Sequence, residues 1–249
     1  MSIMIFDSET TSLDKPFCYN IGYVITDEEF NTIVERDFVC EQVWHNPMLF
    51  STAYYADKRE NYIRSMRGRT TTMDKFGYIC QTMIRDIKKY DVVGAYAYNS
   101  PFDERVFNFN CDWFKCNNPF DTIPIYDIRG YAQQFLCDEH FKEWCEKYQF
   151  FTDSGNYSTT AETLFRYITQ NTEFIEEHTA LADSQIEKEI LYCAIECGAE
   201  LNTPYHTYKS IPRKQTKNFT VKYNGDVVFN TECESIRYMK TNNTVILKG

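Results

Sequence analysis

The segment IMIFDSETTSLD, Ile3 to Asp14, narrows the choice of fold more than any other part of the chain. Four apolar residues run straight into Asp7, Ser8 and Glu9, and threonines and a serine follow. An apolar run of this length bounded by turn-forming residues predicts a buried strand. Side chains alternate along a strand, so Asp7 and Glu9 share one face and Ser8 takes the other. Two carboxylates on one face at the end of a buried strand repel each other and resist desolvation. A cation between them, or access to water, relieves both costs. Taken alone, D-x-E also fits an edge strand with a polar face, so the motif needs support from the rest of the chain.

The order of the elements supplies that support. Phe17 to Asp27 predicts a second strand and Phe30 to Cys40 a third, with a turn at Asp27 and Glu28 that makes an antiparallel meander. From Trp44 to Arg69 aromatic and basic residues interleave: Tyr54, Tyr55, Lys58, Arg59, Tyr62, Arg64, Arg67 and Arg69. That mixture suits single-stranded nucleic acid, where bases stack and phosphates meet cations. It suits equally well an exposed helix whose aromatics face inward. A helix is predicted from Thr72, with Phe76, Ile79, Cys80, Met83, Ile84 and Ile87 on one stripe, Asp74 in its first turn and Lys88 and Lys89 in its last. Asp91 leads into VVGAYAY, a continuous apolar run that predicts a central strand. Strand, helix and strand at this spacing give an α/β layer fold, a mixed sheet flanked by helices.

The central strand runs into Asn99-Ser-Pro-Phe-Asp103. Ser100 and Pro101 form an N-cap and first-turn pair, and Asp103 falls at the capping-box position. Asp103 also lies just past the end of a buried strand, where open α/β sheets bind ligands. PIYDI near Asp127 predicts a further strand, followed by one helix from Arg129 to Tyr148 and a short helix from Ser158 to Thr169. A last helix starts near Leu181, with Ile186, Ile190, Ala194 and Cys197 as its apolar stripe. Asp183 extends that buried stripe, and a buried carboxylate requires a partner. His178, one of four histidines, precedes it by five residues.

Charge divides the chain in two. The whole carries −10, but residues 205–249 hold eight basic and three acidic residues, +5, which leaves −15 on 1–204. A basic tail on an acidic body predicts two units with different partners. No apolar run is long enough for a membrane span and no secretory leader opens the sequence. The expected location is therefore cytoplasmic, with the ten cysteines as reduced thiols. No C-x-x-C pair occurs, and Cys193 and Cys197 read as small buried hydrophobes rather than zinc ligands.

FDSET, NSPFD and HTALAD occur in this order, on a first strand, after a central strand and before a late helix. In these segments the chain resembles the DEDDh 3′–5′ exonucleases of the ribonuclease H-like superfamily, which include the proofreading epsilon subunit of bacterial DNA polymerase III. The resemblance runs from about Ser2 to Glu200. It implies a ribonuclease H-like exonuclease domain over 1–204; residues 205–249 fall outside it, and their charge and strand pattern read as a small, basic, β-rich appendage. It further implies that Asp7, Glu9, Asp103 and Asp183 bind two divalent ions, Mg²⁺ or Mn²⁺, with Asp7 bridging both. Oxygen donors of this kind fit hard cations. His178 would deprotonate the attacking water, and Thr10, Asn99 and Phe102 would hold the terminal nucleotide. The implied reaction releases nucleoside 5′-monophosphates from a single-stranded 3′ end, with DNA favoured over RNA as the polymer.

The same catalytic set serves exoribonucleases, so RNA is the first alternative. Hydrolysis of a small nucleotide phosphodiester is another. A non-catalytic adaptor that binds a polymerase or repair partner through its tail is the rival from a different class. In the tail, NFTVKYNGDVVFN predicts a β-hairpin around Asn224-Gly225, Thr231 to Tyr238 a short helix, and TVILKG a last strand. Such a hairpin can complete the body or mediate self-association as a homodimer, and its basic charge can also grip nucleic acid.

Overall fold

The computed structural model describes residues 1–53 and 56–213 in full and, beyond them, the backbone of residues 217–223, 226–233, 237–241 and 244–248. Two compact units are present: Met1–Phe150 with Ser158–Lys209, and Phe151–Tyr157 with Ser210–Gly249.

The first unit is built on a six-stranded mixed sheet. Its elements are β1 (Ser2–Thr10), β2 (Cys18–Thr26), β3 (Thr32–Cys40), α1 (Glu41–Trp44), α2 (Pro47–Phe50), α3 (Arg59–Arg67), β4 (Thr72–Asp74), α4 (Phe76–Lys89), β5 (Val92–Ala97), α5 (Pro101–Phe114), β6 (Ile125–Asp127), α6 (Ile128–Phe135), α7 (Glu139–Tyr148), α8 (Ala161–Thr169) and α9 (Ala180–Glu196). The strand order is β4-β3-β2-β1-β5-β6. β1, β2 and β3 form the antiparallel meander, while β5 and β6 run parallel to β1 on its other side. The expected α/β layer fold is therefore present, with β1 at its centre.

Alternation along β1 serves both layers. Met4 and Phe6 join one aromatic core with Phe76 of α4 and Phe107 of α5. Phe6 meets Phe107 edge-on at 5.7 Å and Phe120 at 4.3 Å between ring centres. Ser2–Phe6 and Ser8 of β1 and every residue of β2 are buried, because helices cover both faces of the sheet. From Trp44 to Arg69 the inward reading applies to Tyr62, which is 1% exposed and packs edge-on against Tyr19 and Trp44. The Arg59 guanidinium lies over the Trp44 ring at 4.7 Å. Tyr54 and Tyr55 lie outside the described residues.

Several sequence expectations need correction. Thr72–Asp74 is not the start of a helix. It pairs in parallel with Phe38–Cys40, a strand role that β-branched threonine favours, and α4 begins at Phe76. The single helix expected over Arg129–Tyr148 is two, because the Asp138 carboxylate accepts the Phe141 N–H at 3.0 Å and caps a new start. Ser100 does not cap α5. Asn99 takes left-handed backbone at φ 62°, Ser100 is already helical, and its hydroxyl makes no cap bond. Cys197 is exposed at the C-cap of α9, so the buried stripe ends at Ala194.

In the second unit, β7 (Lys217–Tyr223) pairs antiparallel with β8 (Asp226–Cys233), and β9 (Arg237–Thr241) with β10 (Thr244–Lys248). The Asn224-Gly225 turn lies outside the described residues. The helix expected over Thr231–Tyr238 is overturned, since Thr231–Cys233 belongs to the β8 ladder and β9 begins at Arg237. Among the described residues, no helix is long and apolar enough to cross a membrane.

One close approach seats α9 on the sheet. A Cβ built on Gly22 of β2 would lie 2.0 Å from the Leu181 backbone nitrogen and 2.2 Å from the Ala180 carbonyl carbon. Only a residue without a side chain lets the first turn of α9 pack there. We expect Gly22→Ala to lower unfolding stability by about 3 kcal/mol, the upper part of the overpacking range. Chemical denaturation measures this, and a loss below about 1 kcal/mol would contradict the close seating.

Candidate active site

β1 delivers the first two acids. Asp7 pairs with Gly22 and Glu9 with Asn20 across the β1–β2 ladder. α9 delivers the third. Its first N–H, from Ala180, donates to Asn20 Oδ1 at 2.8 Å, and Ser184 Oγ donates to the Gly22 carbonyl at 3.1 Å. The N-cap residue Thr179 makes no side-chain cap, so the sheet caps the helix through Asn20. Asn20 is itself held by Tyr62, whose hydroxyl donates to the same Oδ1 at 3.1 Å, and by Asp37 and the Phe38 carbonyl, which accept from its Nδ2. Asp183, in the first turn, is thereby fixed beside β1. Carboxylate oxygens of Asp7, Glu9 and Asp183 lie within 4.8 Å of one another.

The fourth acid arrives from the opposite layer. Asp103 is 2% exposed in the first turn of α5, and Ser8 Oγ donates to its Oδ1 at 2.6 Å. Ser8 therefore does for Asp103 what the capping-box reading left to Ser100. The D-S-E triplet carries this signal, because the residue between the two acids faces the α5 layer.

Burial dominates the electrostatics. Desolvation raises the Asp7 carboxyl to about 7, Glu9 to about 9 and Asp183 to about 10, with mutual repulsion adding to the last two. Asp103 is pushed well above the usual range by burial and then by Asp7. Asp183 Oδ1 is buried without a hydrogen-bond partner. An all-oxygen donor set with an orphaned buried oxygen fits hard divalent cations, Mg²⁺ or Mn²⁺ among them.

Three further charged residues join the site: Glu187 and Glu176, which the sequence reading did not single out, and Lys58, which it named only within the aromatic and basic stretch. Glu187 is 3% exposed, one helical turn beyond Asp183, and is raised by burial and by Asp7, Asp103 and Asp183. Its i, i+4 spacing from Asp183 was a usable signal. Glu176 is raised to about 7 by burial and then by Asp7. Lys58 lowers Glu9, Asp183 and Glu176 and contacts the Glu177 carbonyl. Neither Glu176 nor Lys58 has a spacing that connects it to the acids.

His178 stands in left-handed backbone at φ 52°. Its Nδ1 lies 3.6 Å from Glu176 Oε2, and burial followed by Lys58 lowers its pKa below 6.5. Beside it is a cleft of about 650 Å³ lined by Lys58, Arg64, Tyr62, Asp37, Glu177 and Thr179, among others. The remaining sequence candidates are held by other partners. Thr10 Oγ1 reaches the Ser12 carbonyl at 3.4 Å, the Asn99 N–H donates to Asp127 Oδ1 at 2.8 Å, and half-buried Phe102 lies under the Arg105 guanidinium.

No protein-family model matches the chain, and no curated protein matches it in sequence. Solved structures do share its fold. The nuclease domain of 3'hExo, a DEDDh family member bound to rAMP, superposes with a TM-score of 0.55 at 13% identity, covering 84% of this chain and 97% of that one. E. coli Exonuclease I in complex with a 5cy-dT13 oligonucleotide gives a TM-score of 0.50 at 16% identity, covering 79% of this chain and 40% of that one. The chain thus spans about two fifths of Exonuclease I and has the fold of DEDDh-type exonucleases.

Because their pKa values are raised on folding, these acids favour the folded state when protonated. That contribution is complete below their ordinary values of 3.8 and 4.5 and is lost as pH rises through about 7 to about 10. In chelator we therefore expect Tm to fall between pH 5 and 9, and added Mg²⁺ or Mn²⁺ to raise it more at pH 9 than at pH 5. A thermal-shift series reads both, and a metal effect independent of pH would contradict carboxylate ligation.

Proposed function

We propose that the chain is a divalent-metal-dependent 3′–5′ exonuclease of DEDDh type that releases nucleoside 5′-monophosphates from single-stranded 3′ ends, with DNA as the polymer. The observation that carries this reading is the convergence of Asp7, Glu9 and Asp183 within 4.8 Å, with Asp103 brought in by Ser8. The shared fold supports it, as do the nucleic-acid ligands of the fold neighbours, a deoxyoligonucleotide in one and rAMP in the other. We assign the activity to residues 1–204 and treat 205–249 as an appendage.

Asp7, Glu9, Asp103 and Asp183 would hold two divalent ions, Mg²⁺ or Mn²⁺. Cations so held neutralise charge on the attacking and leaving oxygens of an in-line phosphoryl displacement. Water forms the new bond to phosphorus as the bond to the 3′-oxygen of the preceding nucleotide breaks. His178 is assigned as general base, with Nε2 taking the proton while Nδ1 faces Glu176 Oε2. Its lowered pKa supports this role, since the imidazole is neutral at pH 7 and ready to accept. The cleft beside it would receive the strand, with Lys58 and Arg64 facing phosphates. Thr10, Asn99 and Phe102 are proposed to hold the terminal nucleotide.

The direct test is a 5′-labelled single strand incubated with Mg²⁺ or Mn²⁺. We expect a descending ladder, slowed about 10²- to 10⁴-fold by His178→Ala and abolished by Asp7→Asn. A matched RNA strand degraded faster would reassign the polymer. Absence of a ladder on either polymer would leave the adaptor reading in its place. Arg64→Ala should weaken strand binding and reduce the salt dependence of log K by about 0.7, the share of one phosphate contact on a single strand. An unchanged slope would remove Arg64 from the strand path.

A further inference from the structure

Away from the carboxylates, three cysteines meet where α4 passes the end of α5. Sulfur atoms of Cys80, Cys111 and Cys116 lie within 4.8 Å of one another. Cys80 and Cys111 are buried and Cys116 is partly exposed. The cysteines of the described residues are free thiols, and no other trio of them converges in this way.

Backbone geometry makes the convergence. Cys111 lies in the last turn of α5, and Lys115 at the C-cap takes left-handed backbone at φ 55°. The N–H groups of Lys115 and Cys116 both turn back to the Cys111 carbonyl, the latter at 3.1 Å. This reversal places Cys116 over the helix end instead of letting it run on. α4 meets it with Gly77, where an added Cβ would stand 3.4 Å from Cys116 Cβ, and Cys80 follows one turn later.

We infer that Cys80, Cys111 and Cys116 form a thiolate site for one zinc ion, separate from the carboxylate centre. Zinc–sulfur bonds of about 2.3 Å at tetrahedral angles put sulfurs about 3.8 Å apart, so side-chain adjustments of about an ångström close the site. Soft sulfur donors select zinc and reject Mg²⁺. The fourth position opens toward solvent beside partly exposed Cys116, where water completes the tetrahedron. Three thiolates on Zn²⁺ leave a net charge of −1 on the site. Small apolar filling explains one buried cysteine, but not three sulfurs from two helices and a loop directed at one point. The ion would tie the last turn of α5 to the first turns of α4 while its fourth position stays open to an exogenous ligand.

The test uses the full-length, reduced protein in excess Mg²⁺, titrated with Cd²⁺, whose sulfur charge-transfer absorption reports thiolate ligation and is silent for carboxylates. We expect the band to saturate at one equivalent, to be displaced by Zn²⁺, to vanish in Cys116→Ser and to persist in Cys197→Ser. A missing band, or one retained in Cys116→Ser, overturns the site. Should Cys116→Ser fail to fold, alkylation of the wild-type protein decides: Zn²⁺ must slow labelling of Cys116 several-fold, and equal labelling with and without zinc overturns the proposal. A disulfide within the trio, found by mass spectrometry of protein that takes up no metal, overturns it as well.

Discussion

The seating of α9 against β2 is the contact on which the rest of the site depends. Gly22 removes the side chain that would hold the helix off, and Asn20 supplies the acceptor that its first N–H needs. Both lie on one strand, two residues apart, and each stands opposite an acid of β1. Asp183 reaches Asp7 and Glu9 only because helix and sheet approach backbone to backbone. Tyr62 then ties the region before β4 into the arrangement through Asn20. A strand, a helix and the wall of the neighbouring cleft thus share one buried amide. Its oxygen accepts two hydrogen bonds and its nitrogen donates two, so its polarity is satisfied within the protein.

The acids are not stabilising in themselves. Burial raises each of Asp7, Glu9, Asp103 and Asp183, and Glu187 adds a fifth carboxyl pressed among them. A packed core gains nothing from such a group unless it is protonated, paired or ligating. Lys58 is one positive charge beside several acids, which leaves the patch electrostatically unbalanced. The fold therefore holds the acids where their own repulsion would scatter them, and the Gly22 and Asn20 contacts supply the restraint. Preorganisation of this kind is what a cation centre requires, because the ligands then lose little further entropy on binding.

Much of this was readable from residue order. Alternation in IMIFDSET placed Asp7 and Glu9 on one face and Ser8 on the other, and the structure uses both faces. The α/β layering followed from the strand–helix–strand spacing. What the sequence hid is local competition. Thr72–Asp74 has helical neighbours but finds an open edge at β3, and Ser100 has the right chemistry for a cap yet lies inside the helical backbone. Asn20 and Gly22 gave no signal, because their roles exist only once a helix from 160 residues later has docked. Glu176 is of the same type, and Lys58, visible only as one base among aromatics, is likewise joined to the acids by tertiary placement and not by any spacing.

α5 carries a carboxylate near one end and a thiol near the other. Asp103 in its first turn faces oxygen donors, and Cys111 in its last turn faces sulfur donors, eight residues or about 12 Å along the axis. Hard and soft donors divide the metals between them, so Mg²⁺ has no claim on the thiol end. The helix is fixed at both ends by contacts that differ in kind: a hydroxyl–carboxylate hydrogen bond at Asp103, and the turn through Lys115 that brings Cys116 back.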